Sequence, residues 1–303
     1  MNKFLIVVIA IIVIVAIFMV AQHFQGVKFG SLGSLFKVNY TVPSGLSHNA
    51  STKTNITYST GGNPPAAVAP KPQPTPPAGF TVAELSPYYG EVKIGNVSPA
   101  STWNTVANFS LSANYSGLKA PIDVTGWHLR SNKGDVVIPT AVADYTPGGF
   151  GYSGDITLNP GQVLNVYSSV SPIAKNLRMN QCIGYLNDTY TFTPALPQNC
   201  ASVYDRSEIS TLSGACQSYI LSLWSCSAPS IGQINNFSSE PACQALLSTR
   251  FNYATCYDRH RFDSGFFTNE WRVWIGGAIN FDQSHDRLLL FDKEGLLVDE
   301  YTY

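Results

Sequence analysis

Charge is scarce in this chain. Lysine and arginine number 18 and aspartate and glutamate 19 in 303 residues, so charged residues make up 12%, against about a quarter in an average soluble protein. The net charge is -1. No basic field is available to hold nucleic acid through its phosphates, and there is no acidic tail. Catalytic signatures are equally sparse. A serine nucleophile would want a G-x-S-x-G elbow, which is absent. The glycine-rich run at 148–154 follows no strand–helix pattern and lacks the Lys-Ser/Thr of a phosphate loop, so it reads as a hairpin loop. The cysteines make no C-x-x-C knuckle, and no EF-hand spacing occurs. Accordingly we assign no catalytic, cofactor-binding or metal-ligating residue, and the expectation is a protein that is not an enzyme.

What is present is ordered along the chain. After Met1-Asn2-Lys3, residues 4–21 are apolar without a charge, glycine or proline. At about 1.5 Å per residue this run reaches roughly 27 Å, close to the hydrocarbon thickness of a bilayer. A cleaved signal peptide would have a shorter apolar core and small residues at its end, which Met19-Val20-Ala21 fits poorly. The expectation is a transmembrane signal anchor over 1–22 with the N-terminus inside and the C-terminal body extracellular. Residues 23–62 form a Ser/Thr/Asn-rich juxtamembrane segment. Residues 63–79, NPPAAVAPKPQPTPPAG, favour extended polyproline II and would reach roughly 50 Å as a linker.

The body begins near Phe80 and reads as β. Residues 91–94 alternate as a strand, and 105–115 form another whose pattern slips near Asn108. Residues 121–139, PIDVTGWHLRSNKGDVVIP, read as a hairpin with Ser131-Asn132-Lys133-Gly134-Asp135 as its turn. Ile122, Val124, Trp127 and Leu129 are its expected core residues. Asn159-Pro160-Gly161-Gln162 has the chemistry of a type II turn. Residues 271–275, 287–291 and 296–303 are strands, the last two joined at Asp292-Lys293-Glu294-Gly295. Many short strands separated by turn residues predict a mainly β, antiparallel sandwich.

The succession EVKIGNV, IDVTGWHLRSNKGDVVIP, LNPGQVLNV and DRLLLFDKEGLLVDEYTY resembles the lamin-tail domain. The most specific element pairs TGW-x-L with a late run carried here by Asp286, Leu290, Asp292, Gly295, Val298, Asp299 and Tyr303. The resemblance covers roughly 87–176 and 269–303. It implies an immunoglobulin-like β-sandwich over 80–176 and 268–303, interrupted by an insertion at 177–267. SPYYGEVKI, NQCIGYL, FTPALPQNC and NEWRVWI are more narrowly similar to membrane-anchored, cysteine-containing members predicted from candidate-phyla bacteria, for which the resemblance implies no activity.

All six cysteines, Cys182, Cys200, Cys216, Cys226, Cys243 and Cys256, fall in the insertion. An even count beyond a membrane anchor predicts three disulfides. A helix is expected from Ser207 to about Leu223, and another after Pro241. Ala215-Cys216-Gln217 echoes Ala242-Cys243-Gln244, as if two short helices were stapled together. Two pairings fit: Cys216–Cys226 with Cys243–Cys256, slightly favoured, or Cys216–Cys256 with Cys226–Cys243; either leaves Cys182–Cys200. The insertion has too few apolar residues to promise a core of its own, so the bridges would carry it. Zinc on Cys256 and His260, one helical turn apart, is the lesser reading.

Two kinds of partner follow besides the membrane: a protein, or a cell-envelope glycan such as peptidoglycan. For the glycan, Tyr88, Tyr89, Tyr152 and Trp224 are the candidate ligand-facing aromatics. A third reading, a hydrolase, would use Asp282, His285 and Asp286, which otherwise serve turns.

Overall fold

The computed structural model describes residues 74–114, 120–149 and 151–303. The anchor expected over 1–22, the 23–62 segment and most of the Pro-rich linker lie outside the described residues. Among the described residues no helix is long and apolar enough to cross a membrane.

Among the described residues thirteen strands follow in order: β1 (Val92–Ser98), β2 (Asn108–Ala113), β3 (Ile122–Asp123), β4 (His128–Arg130), β5 (Asp135–Val137), β6 (Ala141–Val142), β7 (Ser153–Gly154), β8 (Thr157–Leu158), β9 (Val163–Tyr167), β10 (Leu177–Asn180), β11 (Phe267–Trp274), β12 (Arg287–Phe291) and β13 (Leu297–Thr302). A seven-stranded sheet has the order β1-β2-β9-β11-β10-β6-β7, a four-stranded sheet β13-β12-β4-β5, and β3 pairs β8. The protein is thus mainly β, with several sheets and a few helices.

The hairpin at 121–139 is shorter than expected. Its paired arms are β4 and β5, with Leu129 opposite Val136, while β3 leaves to pair β8, Ile122 opposite Leu158. Backbone bonds Ile138 N–H to Trp127 O (2.9 Å) and Gly126 N–H to Ile138 O (2.7 Å) extend the closure. Gly126 has φ +79°, a conformation that glycine adopts without a Cβ penalty. The irregularity expected near Asn108 lies across the ladder instead: the register shifts in β1 between Gly95 and Ser98, where Asn96 has φ +48°.

Purely antiparallel pairing is corrected. β9 runs parallel to β11, and β6 parallel to β10. Parallel neighbours need a long crossover; the excursion between Tyr167 and Phe267 supplies it for β9 and β11, and the stretch through β7, β8 and β9 for β6 and β10. Moreover, β10 lies within the range assigned to the insertion but is a strand of the large sheet, antiparallel to β11.

The principal core draws on all three sheets. Phe109, Leu111, Leu164, Trp271 and Val273 come from the large sheet, Trp127, Leu129, Leu288, Leu290 and Val298 from the four-stranded sheet or its flank, and Ile122 and Leu158 from the small pair; Val124 joins them. Trp127 is 1% exposed, with the ring of Tyr88 5.9 Å away between centroids. Period-two alternation gives the large sheet a second apolar face. Trp271 and Val273 of β11 enter the principal core, while Trp274 joins Tyr167, Leu177 and Met179 in a second cluster.

That second cluster is completed by the insertion, through Ile183, Tyr185, Leu186, Ile209, Ile220, Leu247, Phe251, Tyr257 and Phe266. The expectation that the insertion lacks apolar residues for a core is therefore corrected: the sheet lends it a wall. Its helices are α1 (Arg206–Ile209), α2 (Gly214–Ser222), α3 (Ile231–Asn235), α4 (Pro241–Arg250) and α5 (Tyr253–His260). The single helix expected from Ser207 is two, because Ser213 starts a new one by accepting the Cys216 N–H at 3.1 Å. Pro241 occupies the first turn of α4, as its missing N–H favours.

Candidate functional site

Three disulfides frame the insertion: Cys182–Cys256, Cys200–Cys226 and Cys216–Cys243. Among the described residues no cysteine is free. None of the pairs expected from the sequence forms. The two echo segments bond to each other: Cys216 in the first turn of α2 and Cys243 in the first turn of α4 approach to 6.1 Å between Cα atoms. The two apolar faces meet over the same core, so equivalent turns lie side by side. Cys182, just beyond β10, takes Cys256 of α5 because Gln181 N–H bonds Phe266 O at 2.9 Å, bringing the two ends of the insertion together. Cys226, at φ +62°, takes Cys200.

This frame holds open a cleft of about 440 Å³. One wall comes from the β6–β7 connection (Tyr145, Pro147, Gly148, Gly149), a second from the 3-10 helix Ile183–Asp188 and the following Tyr190, and a third from Phe251, Asn252 and Tyr253 at the α4–α5 junction. Tyr253 is buried and its hydroxyl is committed: it donates to Tyr145 O and accepts from Asn180 Nδ2 at 3.0 Å. Beside the cleft, Tyr257 donates to Asp144 Oδ2 at 2.8 Å, and burial together with the Asp144 carboxylate pushes its pKa up to about 12. Asn252 spends its side chain on local structure, accepting from Thr255 N–H at 2.9 Å and donating to Thr249 O at 2.7 Å.

Asp188 is the charged group of the lining. One carboxylate oxygen accepts the Ala228 N–H at 3.0 Å. Among the described residues no Lys, Arg or His forms an ion pair with it. Its pKa is raised, because the cleft wall strips water from the charged form more than the Ala228 N–H restores it. Tyr185 is pushed up to about 12 by burial first and by the Asp188 charge second.

The four aromatics nominated from the sequence sit in separate settings. Tyr88 lies against Trp127, and Tyr89 is half-buried against the small cluster of Leu85, Phe291 and Leu297. Tyr152 is 99% exposed in the β6–β7 connection. Trp224 is 85% exposed and lines a second cleft, of about 210 Å³, that none of the other three lines. Tyr185 and Phe251 line both clefts. The residues of the first cleft went unnoticed in the sequence because each tyrosine alone reads as core. The signal available was local density: Tyr185, Asp188 and Tyr190 within six residues, and Phe251, Tyr253 and Tyr257 within seven.

The acidic group of the hydrolase reading is structural in its contacts. Asp286 is fully buried and accepts three backbone N–H groups, from Asn132 (2.9 Å), Arg287 (2.9 Å) and Asp282 (2.8 Å). Asp282 accepts from Ser284 N–H at 3.0 Å and faces Lys133 at 3.3 Å, while His285 is exposed. Asp292 closes the β12–β13 turn through Glu294 and Leu296 N–H. His260 contacts Asp263 Oδ2 (2.8 Å) and Ser202 O (2.7 Å), and Cys256 is oxidised, so the zinc pair is not assembled. Among the described residues no group of three or more His, Cys, Asp or Glu is placed to hold a metal ion.

No family model, no curated protein and no solved structure matches the chain.

Proposed function

We propose that this chain is a non-enzymatic surface protein that displays a lamin-tail-type, immunoglobulin-like sandwich outside the cell. In this reading residues 1–22 anchor it in the membrane, the Pro-rich stretch lifts it, and the disulfide-bonded insertion contacts a protein or cell-surface partner. The observation that carries the reading is the set of three bridges. Three disulfides persist in an oxidising compartment, and they hold the insertion in one shape, as a binding surface requires.

The test has two parts. Mass spectrometry of the non-reduced protein, alkylated in intact cells, gives no labelled cysteine and protease access from outside; several labelled thiols would sink the extracellular placement. A pull-down from envelope fractions with the full chain then retains a partner that is lost when the bridges are reduced. Glycan competitors in the same pull-down address the second reading, a carbohydrate- or peptidoglycan-binding envelope module. The Trp224-lined cleft favours that reading, since an exposed indole can stack on a sugar ring.

A further inference from the structure

We infer that the cleft between the β6–β7 connection and the α4–α5 junction binds an organic ammonium ion, with Asp188 as its counter-charge and the tyrosine rings as its cage. The inference rests on the binding-module reading above and gives that module a ligand class.

The lining is one-sided in charge. Among the described residues it contains Asp188 and no lysine, arginine or histidine. Elsewhere the carboxylates of Asp123, Asp135, Asp205, Glu208, Glu270, Asp282, Asp299 and Glu300 each face a basic side chain. Asp188 is exposed at the cleft and, like Glu91, Asp155, Glu240 and Asp258, has no ion pair among the described residues; its second oxygen takes no hydrogen bond there and is open to a ligand. Asp144, the neighbour of Tyr145, adds a second carboxylate beside the cleft, where it accepts from the Tyr257 hydroxyl at 2.8 Å. Arg261 lies over the rings of Tyr257 and Phe262 and is not part of the lining.

The rest of the lining suits a cation that carries alkyl groups. Tyr190 supplies the open aromatic surface, and the largely buried rings of Tyr145, Tyr185, Phe251 and Tyr253 complete the lining, those of Tyr145 and Tyr253 5.9 Å apart. Aromatic faces attract a cation through the ring quadrupole while accommodating its methyl or methylene groups. A strongly hydrated inorganic ion would gain little from such walls. A neutral sugar could use the hydroxyls of Tyr145, Tyr185, Thr189 and Tyr190, Asn252 and the Tyr253 hydroxyl being committed, but it would leave the Asp188 carboxylate without a counter-charge.

The experiment uses the full chain in a non-ionic detergent without choline, titrated calorimetrically with tetramethylammonium and with choline. The neutral isostere 3,3-dimethylbutanol and a chito-oligosaccharide serve as controls. Both cations bind and the controls do not. Asp188→Asn keeps an acceptor for the Ala228 N–H and removes the charge, so it folds and binds roughly tenfold more weakly. Tyr190→Leu, at a half-exposed ring, weakens binding severalfold and guards against a folding defect at Asp188. Vesicles of phosphatidylcholine against phosphatidylglycerol identify the source: Asp188-dependent retention on the former assigns a lipid headgroup, and binding of free choline alone a soluble ligand. Equal binding of dimethylbutanol, binding of the oligosaccharide alone, no binding of either cation, or an Asp188→Asn variant as tight as the parent overturns the assignment. If the cations fail while the reduction-sensitive pull-down persists, the ligand class falls and the display reading stands. Labelled thiols with intact cation binding give the reverse.

Discussion

Removing the Cys182–Cys256 bridge tests how the insertion is held. The bridge spans 74 residues and encloses the other two, at 26 and 27. In the chain-entropy description its ring alone is worth about 4.5 kcal/mol, and each inner ring about 3.5 kcal/mol. The inner bridges already shorten the path between Cys182 and Cys256 to about 45 residues, which lowers the outer contribution to about 4 kcal/mol. Both cysteines are buried, so Cys182→Ala with Cys256→Ala adds to this the packing loss of two buried sulfurs. For a folded body of this size each kcal/mol moves Tm by about 2–4 °C, so the double variant melts roughly 8–16 °C below the parent. The assay is calorimetry of the oxidised proteins, with near-ultraviolet circular dichroism following the aromatic cluster. A single transition is expected in both, because the insertion and the outer face of the large sheet share one core. A shift below about 3 °C would refute the entropic argument. A separate early transition of the insertion would refute the shared core.

The other predictions are shorter. Asp286→Ala leaves three backbone N–H donors without their buried acceptor and costs about 3 kcal/mol in urea unfolding; no change in the midpoint would show that water replaces the carboxylate. Trp127→Ala, at the centre of the principal core, costs about 3–5 kcal/mol by the same measurement. Tyr185, Tyr257 and Tyr303 are each pushed up to about 12, burial being the first cause. Their folded pKa values exceed the ordinary 10, so the stability they contribute is complete below pH 10 and is lost as pH rises toward 12; late tyrosinate absorbance at 295 nm alongside alkaline unfolding checks this.

The parts of the fold legible in the sequence are those set by neighbours in the chain. β12, β13 and their turn follow from alternation around Asp292-Lys293-Glu294-Gly295, and Gly295 takes φ +79° there. The Asn159–Gln162 turn was equally plain, yet its two strands do not pair with each other: β8 goes to β3 and β9 to β2. Turn chemistry fixes a change of direction and leaves the partner open. The parallel β9–β11 pair was illegible because it depends on where a hundred-residue excursion returns. Cysteine parity predicted that bridges form, but spacing favoured local rings, whereas the bridges that form span 26, 27 and 74 residues, because the helices and the 3-10 segment are gathered on one core. The cleft was hidden for a related reason. Its tyrosines come from three separated stretches, and only the folded insertion shows that Asp188 stands among them without a cation.

The ends of the insertion meet at the Gln181–Phe266 backbone bond. By connectivity, then, the segment between them is a cassette: joining the two points would leave every strand of the large sheet in its place. By surface chemistry it is nothing of the kind. Tyr167, Leu177, Met179 and Trp274 would face water as one apolar patch. A chain shortened there would conserve its strand order and forfeit its solubility. Substitutions at these four positions and the insertion's inner face must therefore change together, while its outward-facing residues stay free to vary.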